Sequence, residues 1–285
     1  MWTKEIDMSE MRVFGTTFVG KVVVVTGAGG GIASAIIDLF ATLGAKLVLL
    51  EVNADALCTA VTRTEPLGCE LLSIVCDITS EESVSNAVQQ VAERFGRCDV
   101  IVNNAGILPR ASSIQSLELD AWNRAFAINV TGTFLVIKHF GKLMLTQESG
   151  SIINVASIAG YSPNGCPPYG STKAAVLELT RHIAVEWGPR GIRTNAVCPG
   201  FIQTALSKEN YANAEMLNKR ISSVPLRRLG TTQEIAKAVV FLASEDASFI
   251  NGQDLIVDGG FLQANLMHVQ PPNEQYGGWQ STEQI

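Results

Sequence analysis

Residues 22–33 read VVVVTGAGGGIA, four valines running into a glycine-rich turn, and Ser34 to Leu43 then carry a helical pattern. A continuous β-branched run this short suits a strand buried on both faces, as in a parallel sheet covered by helices. Glycines at the turn let backbone come close to a pyrophosphate, and the helix that follows offers unpaired N–H groups and the positive end of its dipole. The pattern repeats along the chain. Leu47 to Leu50, Leu71 to Cys76, Val100 to Val102, Ile152 to Val155, Thr194 to Val197 and Leu255 to Val257 are the further strand candidates. Between them lie helical patterns at Thr79 to Phe95, Leu117 to Leu145, Tyr169 to Trp187 and Thr232 to Ala243. Thr79 with Glu82 three residues on reads as a capping box opening the first of these. Seven strands alternating with helices predict a doubly wound α/β fold, a mainly parallel seven-stranded sheet with helices on both faces.

Ligands of such sheets bind beyond the carboxyl ends of the strands, and the polar residues there are specific. Glu51 ends the second strand, about 20 residues past the glycine turn, where a carboxylate accepts hydrogen bonds from adenosine ribose hydroxyls and repels a 2′-phosphate. No Arg or Lys lies in the turn or directly after Glu51, so the expected cofactor is NAD, with NADP the weaker alternative. Cys76-Asp77-Ile78 and Asn103-Asn104-Ala105-Gly106 follow the third and fourth strands. Ser157 follows the fifth. Tyr169 and Lys173, four positions apart, share one helix face. An ammonium beside a phenol favours the phenolate, which predicts a Tyr169 pKa lowered toward neutrality and an acid/base role for that residue.

The chain has 285 residues, 47% hydrophobic and 17% charged, with 25 Gly and 10 Pro. That excludes a disordered or collagenous chain and supports a large core without crosslinks. A net charge of −6 argues against a nucleic-acid partner. Six cysteines stand singly, without CxxC or Cys/His spacing, so no metal site is expected and the thiols read as small buried residues of a reducing compartment. The N-terminus carries Glu5, Asp7 and Glu10 and lacks the apolar stretch of a secretory signal, and no run reaches the ~18 apolar residues of a membrane span. The expectation is a soluble cytoplasmic protein that takes a small-molecule substrate. Without a repeat or a Pro/Gly/Ser-rich linker, residues 1–285 read as one domain: a catalytic core of about 18–262, an extension at 1–17 and a polar tail at 263–285.

The ordered set TGAGGGIA, CDI, NNAG, Asn129, Ser157, YGSTK, Pro199-Gly200 and VDGG resembles the short-chain dehydrogenase/reductase family over about residues 18–262. The resemblance implies a Rossmann-like fold and an oxidoreductase that moves a hydride between a nicotinamide cofactor and a secondary alcohol or its ketone. It implies that Tyr169 exchanges a proton with the substrate oxygen, that Ser157 hydrogen-bonds that oxygen, and that Lys173 lowers the phenol pKa and binds the nicotinamide ribose. Asn129 would hold a water linking Lys173 to solvent. Gly27, Gly30, Gly31 and Ile32 would line the pyrophosphate, Asp77 and Ile78 the adenine, and Asn104, Ala105 and Gly106 the adenosine ribose side. Pro199, Gly200, Ile202 and Thr204 would meet the nicotinamide, Thr204 at its carboxamide.

Substrate contacts are expected from Leu108, Arg110, Ile158 and Tyr161, and from Phe201, Leu206 and Tyr211 in a lid after Pro199-Gly200. The family resemblance also implies a homo-oligomer, a tetramer built on the helices at Leu117 to Leu145 and Tyr169 to Trp187. The chain departs from the family pattern in Ala33 for Gly, Glu51 for the commoner Asp, a Ser157–Tyr169 spacing of 12 rather than 13, and its two extra ends. Two other functions stand beside an NAD-linked dehydrogenase. One is an NADPH-linked ketoreductase of 3-oxoacyl type, which Glu51 opposes. The other is a cofactor-binding sensor without turnover, which the complete set Asn129, Ser157, Tyr169 and Lys173 opposes.

Overall fold

Valines at 22 to 25 form the centre of the molecule because each of their two faces has a helical layer to meet. The structure, a computed structural model, describes residues 18–110, 113–204 and 213–264. β1 (Val22–Thr26) is wholly buried and pairs in parallel with β2 (Lys46–Glu51) on one side and β4 (Val100–Asn103) on the other. With β3 (Leu71–Val75), β5 (Gly150–Val155), β6 (Ile192–Pro199) and β9 (Asp254–Val257), they make a seven-stranded sheet of order β3-β2-β1-β4-β5-β6-β9. Every pairing in it is parallel.

Alternation along β1 divides the core. Val23 and Val25 join Ile36, Ile37 and Phe40 of α1 (Gly31–Thr42) and Ile235 and Val239 of α8 (Thr232–Ala243) on one face. Val22 and Val24 join Val84 and Val91 of α3 (Glu81–Phe95) and Phe140 and Met144 of α5 (Thr133–Gln147) on the other. At about 1.5–3 kcal/mol for each fully buried large aliphatic or aromatic side chain, these two layers supply most of the favourable burial.

Several sequence expectations need local revision. α3 is capped by Ser80, whose Oγ accepts from Ser83 N at 3.2 Å, and not by Thr79. The reason is Asp77, whose Oδ1 takes both the Thr79 N–H (2.9 Å) and the Thr79 hydroxyl (2.7 Å) in a tight turn. The long helix expected from Leu117 is α4 (Leu119–Phe126), a π-helical turn at Ala127–Gly132, and then α5. α6 (Pro167–Trp187) starts two residues before Tyr169, at prolines whose missing N–H costs nothing in a first turn. Two further helices, α2 (Ala54–Thr64) and α7 (Ala214–Ser223), are capped by Asn53 and Asn213. A short parallel pair, β7 (Ile202–Gln203) with β8 (Gly230–Thr231), connects the loop after β6 to α8. Among the described residues no helix is long and apolar enough to cross a membrane. The expected extension at 1–17, Leu206, Tyr211 and all but the first two residues of the tail lie outside the described residues.

A chain of buried polar side chains joins the middle of the sheet to α6. Asn103 and Asn154 are register partners on β4 and β5, and Asn103 Nδ2 donates to Asn154 Oδ1 at 2.8 Å. Asn154 Nδ2 donates in turn to Thr180 Oγ1 on α6 at 2.8 Å, and the Thr180 hydroxyl donates to the Val176 carbonyl. All three side chains are buried. Replacing Asn154 with Leu keeps the number of side-chain heavy atoms, adds bulk, and strands the Asn103 donor and the Thr180 acceptor. At about 1–3 kcal/mol per unsatisfied buried group, Asn154→Leu is expected to lower the unfolding free energy by about 2 kcal/mol or more in urea titration. An unchanged midpoint would show that α6 is held by its apolar face alone.

Candidate active site

The carboxyl ends of β1 and β4 are tied together before any ligand is considered. Thr26 Oγ1 accepts from the backbone N–H groups of Asn104 (3.1 Å) and Ala105 (3.0 Å). Asn104 Nδ2 donates back to the Thr26 and Gly27 carbonyls, each at 3.2 Å. The contact is so close that a Cβ on Gly27 would lie 2.8 Å from Ala105 Cα, and Gly27 has φ +65° besides. Gly30 precedes α1 with no side-chain cap, so the first amides of that helix are left to whatever enters the cleft. Glu51 reaches the same turn: its Oε2 accepts from Gly29 N and its Oε1 from Asn53 N, both at 3.1 Å.

Two hollows meet at this turn. One, of about 640 Å³, is lined by Gly27, Gly29, Glu51, Val52, Asp77, Thr79 and Ala105, with Arg124, Ala127 and Ile128 on the far wall. The other, of about 740 Å³, runs from Gly30, Gly31 and Ile32 to Ser157, Tyr169 and Lys173. Gly30, Asn104, Gly106 and Ile107 line both. The result is a two-lobed cleft with bare backbone and an uncapped helix N-terminus at its waist and a carboxylate in one lobe. That donor set fits a dinucleotide laid across the sheet.

The second lobe brings together Ser157, Tyr169 and Lys173. Ser157 ends the loop after β5, buried, and its Oγ accepts from Ala159 N at 3.1 Å, which leaves the hydroxyl proton to donate. Lys173 is also buried, and its Nζ donates one hydrogen to the Val155 carbonyl at 2.8 Å. Asn129 stands on the π-helical turn, a feature frequent at functional sites. Its Oδ1 accepts from Ile107 N (2.8 Å), and its Nδ2 donates to Ile107 O and Thr172 Oγ1, both at 3.0 Å. Asn129 therefore clamps the loop at Gly106 and Ile107 against α6.

A family model described as enoyl-(acyl carrier protein) reductase matches residues 27–262. A 3-oxoacyl-(acyl-carrier-protein) reductase FabG of Thermotoga maritima is 36% identical over 244 residues, 85% of this chain and 98% of the relative. The structure of an NAD+-bound xylitol dehydrogenase superposes with TM-score 0.83 at 37% identity, covering 86% of this chain and 100% of that one. A gluconate 5-dehydrogenase from Burkholderia cenocepacia, solved with NADP and tartrate, gives TM-score 0.83 at 30% identity over 88% and 98%. The chain belongs to the short-chain dehydrogenase/reductase family. It is an oxidoreductase acting on an alcohol or its ketone.

In this dehydrogenase/reductase Leu108, Arg110, Pro199, Gly200, Phe201, Ile202 and Thr204 all line the second lobe. Ile158 and Tyr161 do not. A 3₁₀ turn at Ile158–Gly160 carries Tyr161 outward, where its hydroxyl donates to Asp254 Oδ2 on β9 at 2.7 Å. Ile78 is turned into the core, its Cδ1 2.6 Å from where a Cβ on Gly132 would stand, and its neighbours Asp77 and Thr79 face the first lobe instead. Residues that sequence reasoning missed are Ile107, Pro109, Asn164, Cys166 and Arg220 in the second lobe and Val52, Thr79 and Arg124 in the first. Cys166 directly precedes the helix that bears Tyr169, without a side-chain cap hydrogen bond. Arg220 carries no sequence signal, because α7 buries none of its residues and its sequence does not show which part of the helix meets the cleft.

Burial sets the electrostatics here. It raises the Tyr169 phenol above its ordinary pKa, with a hydrogen bond from Ser157 pulling the other way. The expected lowering by Lys173 is overturned because the ammonium is turned to the Val155 carbonyl, 5.6 Å from the phenol ring centre. Burial also pushes Lys173 down to about 8. The folded protein thus bears the full cost of a buried ammonium at pH values below the folded pKa. Stability should rise from there to about pH 10.4, where the unfolded lysine also loses its proton. Relative to Lys173→Met, the wild-type unfolding free energy is expected to gain on the order of 3 kcal/mol across that window, at about 1.4 kcal/mol per pKa unit. A constant difference between the two proteins would refute a depressed lysine.

Proposed function

We propose that the chain transfers a hydride between NAD and the secondary alcohol or ketone of a small organic substrate, at a site made by Ser157, Tyr169 and Lys173. The observation that carries this reading is their meeting in one lobe that opens onto the glycine turn. When bound, the nicotinamide supplies or accepts the hydride. The Tyr169 phenol holds the proton that the substrate oxygen gains or loses, and the Ser157 hydroxyl donates to that oxygen. Lys173 uses one N–H on Val155 and keeps two for a ribose hydroxyl and the phenol oxygen. Asn129 positions the loop at Ile107, and its carbonyl, which already accepts from Thr133 Oγ1 at 2.9 Å, has a second lone pair for a relay to Lys173.

Glu51 supports NAD as the cofactor. A carboxylate set against a 2′-phosphate at about 4 Å is opposed by about 4 kcal/mol at an effective dielectric of about 20. A second reading, an NADP-linked reductase of 3-oxoacyl type, is favoured by Arg124 on the far wall of the same lobe. We place the protein in the cytoplasm, all six cysteines being unpaired thiols, as one catalytic domain with two extra ends. Exposed apolar side chains on α5 and α6, Phe134 and Val185, and Phe249 before β9 support a homotetramer.

Tyr169→Phe is expected to lower turnover by about 10²-fold or more while dinucleotide binding, read by fluorescence titration, stays within a few-fold. Retained turnover would remove Tyr169 from the mechanism. Steady-state kcat/KM should favour NAD over NADP by at least about tenfold, and the reverse order would transfer the assignment to the second reading. Light scattering should give the mass of four chains; a monomer would remove the assembly.

A further inference from the structure

Ser157 and Tyr169 come from different elements, and a polar tie joins the two. Ser157 opens the 3₁₀ turn at Ile158–Gly160 and Tyr161 closes it. Within the turn, Gly160 N donates to the Ser157 carbonyl and Tyr161 N to the Ile158 carbonyl, both at 3.0 Å. The turn rests directly on α6. A Cβ on Gly160 would stand 3.0 Å from Leu177 Cδ1 and 3.2 Å from the Lys173 carbonyl carbon, and one on Gly170 would stand 3.0 Å from the Ala159 carbonyl oxygen. At its end, the Tyr161 hydroxyl donates to Asp254 Oδ2 at 2.7 Å, and Arg181 Nη2 donates to the same oxygen. Arg181 belongs to α6, where Tyr169, Lys173, Leu177 and Arg181 follow one another at steps of four along one side. The contacts close a circuit: from Ser157 through its turn, Tyr161, Asp254 and Arg181, back to the helix that bears Tyr169 and Lys173.

Stability alone gives this tie little reason to exist. The Asp254 side chain is 9% exposed, and its Oδ1 is buried without a partner among the described residues. A buried carboxylate satisfied on one oxygen is a costly group, and well-packed apolar residues often hold two elements together as well. What an ion pair with a hydrogen-bonded phenol adds is one defined separation. Burial and the bond to Asp254 push the Tyr161 phenol up, so it remains a donor at neutral pH. The wholly buried Cys198 thiol on β6 lies against both the Ser157 N–H and the Tyr161 hydroxyl, so the two ends of the turn share one floor. We propose that Tyr161 and Asp254 are positioning residues, which hold the Ser157 hydroxyl in place relative to Tyr169 through the 3₁₀ turn. This rests on the oxidoreductase reading of Ser157 and Tyr169, and it extends the machinery to two residues that do not line the cleft. The leverage is large, because a misplacement of about 1 Å can cost a reaction about a hundredfold.

Hydrogen exchange tests the tie, and kinetics test its purpose. In Tyr161→Phe and Asp254→Leu the bonded amides of the turn, Ala159, Gly160 and residue 161, are expected to exchange about tenfold faster than in the wild type, the range of one hydrogen bond to a charged group. Asp254→Asn keeps an acceptor for the phenol and should exchange more slowly than Asp254→Leu. Unchanged exchange in both of the first two variants would overturn the tie. Turnover is followed by NADH absorbance with NAD+ and xylitol, cyclohexanol or 1-phenylethanol as probes. Tyr161→Phe should lower kcat by about tenfold or more, while KM and the Kd for NAD+ stay within about threefold. In a Ser157→Ala background the same substitution should cost nothing further, because the group it positions is gone. An unchanged kcat beside faster exchange, or losses that multiply in the double variant, would leave Tyr161 a structural residue and overturn the proposal. Exchange requires no turnover, so failure of the oxidoreductase reading, seen as a wild type that reduces NAD+ with none of the probes, leaves the tie decided on its own.

Discussion

Everything at the site depends on the bond between the ends of two neighbouring strands. β1 and β4 lie where the strand order turns, with β2 and β3 on one side and β5, β6 and β9 on the other. Their following loops diverge from that point and would leave an open crevice. Thr26 closes its floor by accepting two amide protons from the opposite loop, while Asn104 donates to the carbonyls of the first. Four hydrogen bonds from two side chains thereby hold the glycine turn and the Asn104–Gly106 loop at one separation. The lobes on either side inherit their shape from that separation, and Gly27 must be glycine because the loops are drawn so near.

The lobe that holds Ser157, Tyr169 and Lys173 is built on a second set of bonds, which tie α6 to the sheet. The chain from Asn103 through Asn154 to Thr180 fixes the helix against β4 and β5, and Lys173 fixes it again through Val155. Asn129 adds a third connection, from the π-helical turn to both Ile107 and Thr172. A buried lysine held by a single carbonyl is an expensive group to fold around. These ties make the cost bearable, since no one of them can loosen without exposing the others.

Strand positions were legible because a parallel strand buried on both faces leaves a short apolar run that few other structures leave. The glycine turn, Glu51 and the Tyr169–Lys173 pair were legible for a like reason, each being a spacing that one local geometry demands. What escaped was what local pattern does not encode. α2 and α7 open on asparagine caps and carry apolar positions at helical spacing, but both are short, and α7 buries none of its residues. The π-helical turn adds one residue to a helix without disturbing its composition. Tyr161 was placed in the pocket by its nearness in sequence to Ser157, and a single 3₁₀ turn is enough to send it to β9. Arg220 reaches the cleft from just over fifty residues beyond Tyr169, a contact that only the packed chain creates.

The carboxylate of Glu51 has a role that precedes any ligand. Both of its oxygens are already occupied, one by the Gly29 N–H of the glycine turn and the other by the Asn53 N–H that opens α2. It is a strut of the fold, in addition to the recognition proposed for it. Exchanging cofactor preference by changing this residue alone would also release the turn and the start of α2, so affinity for either dinucleotide would suffer. A working exchange would have to return an acceptor to those two amides from elsewhere, with the new cation added as a separate change.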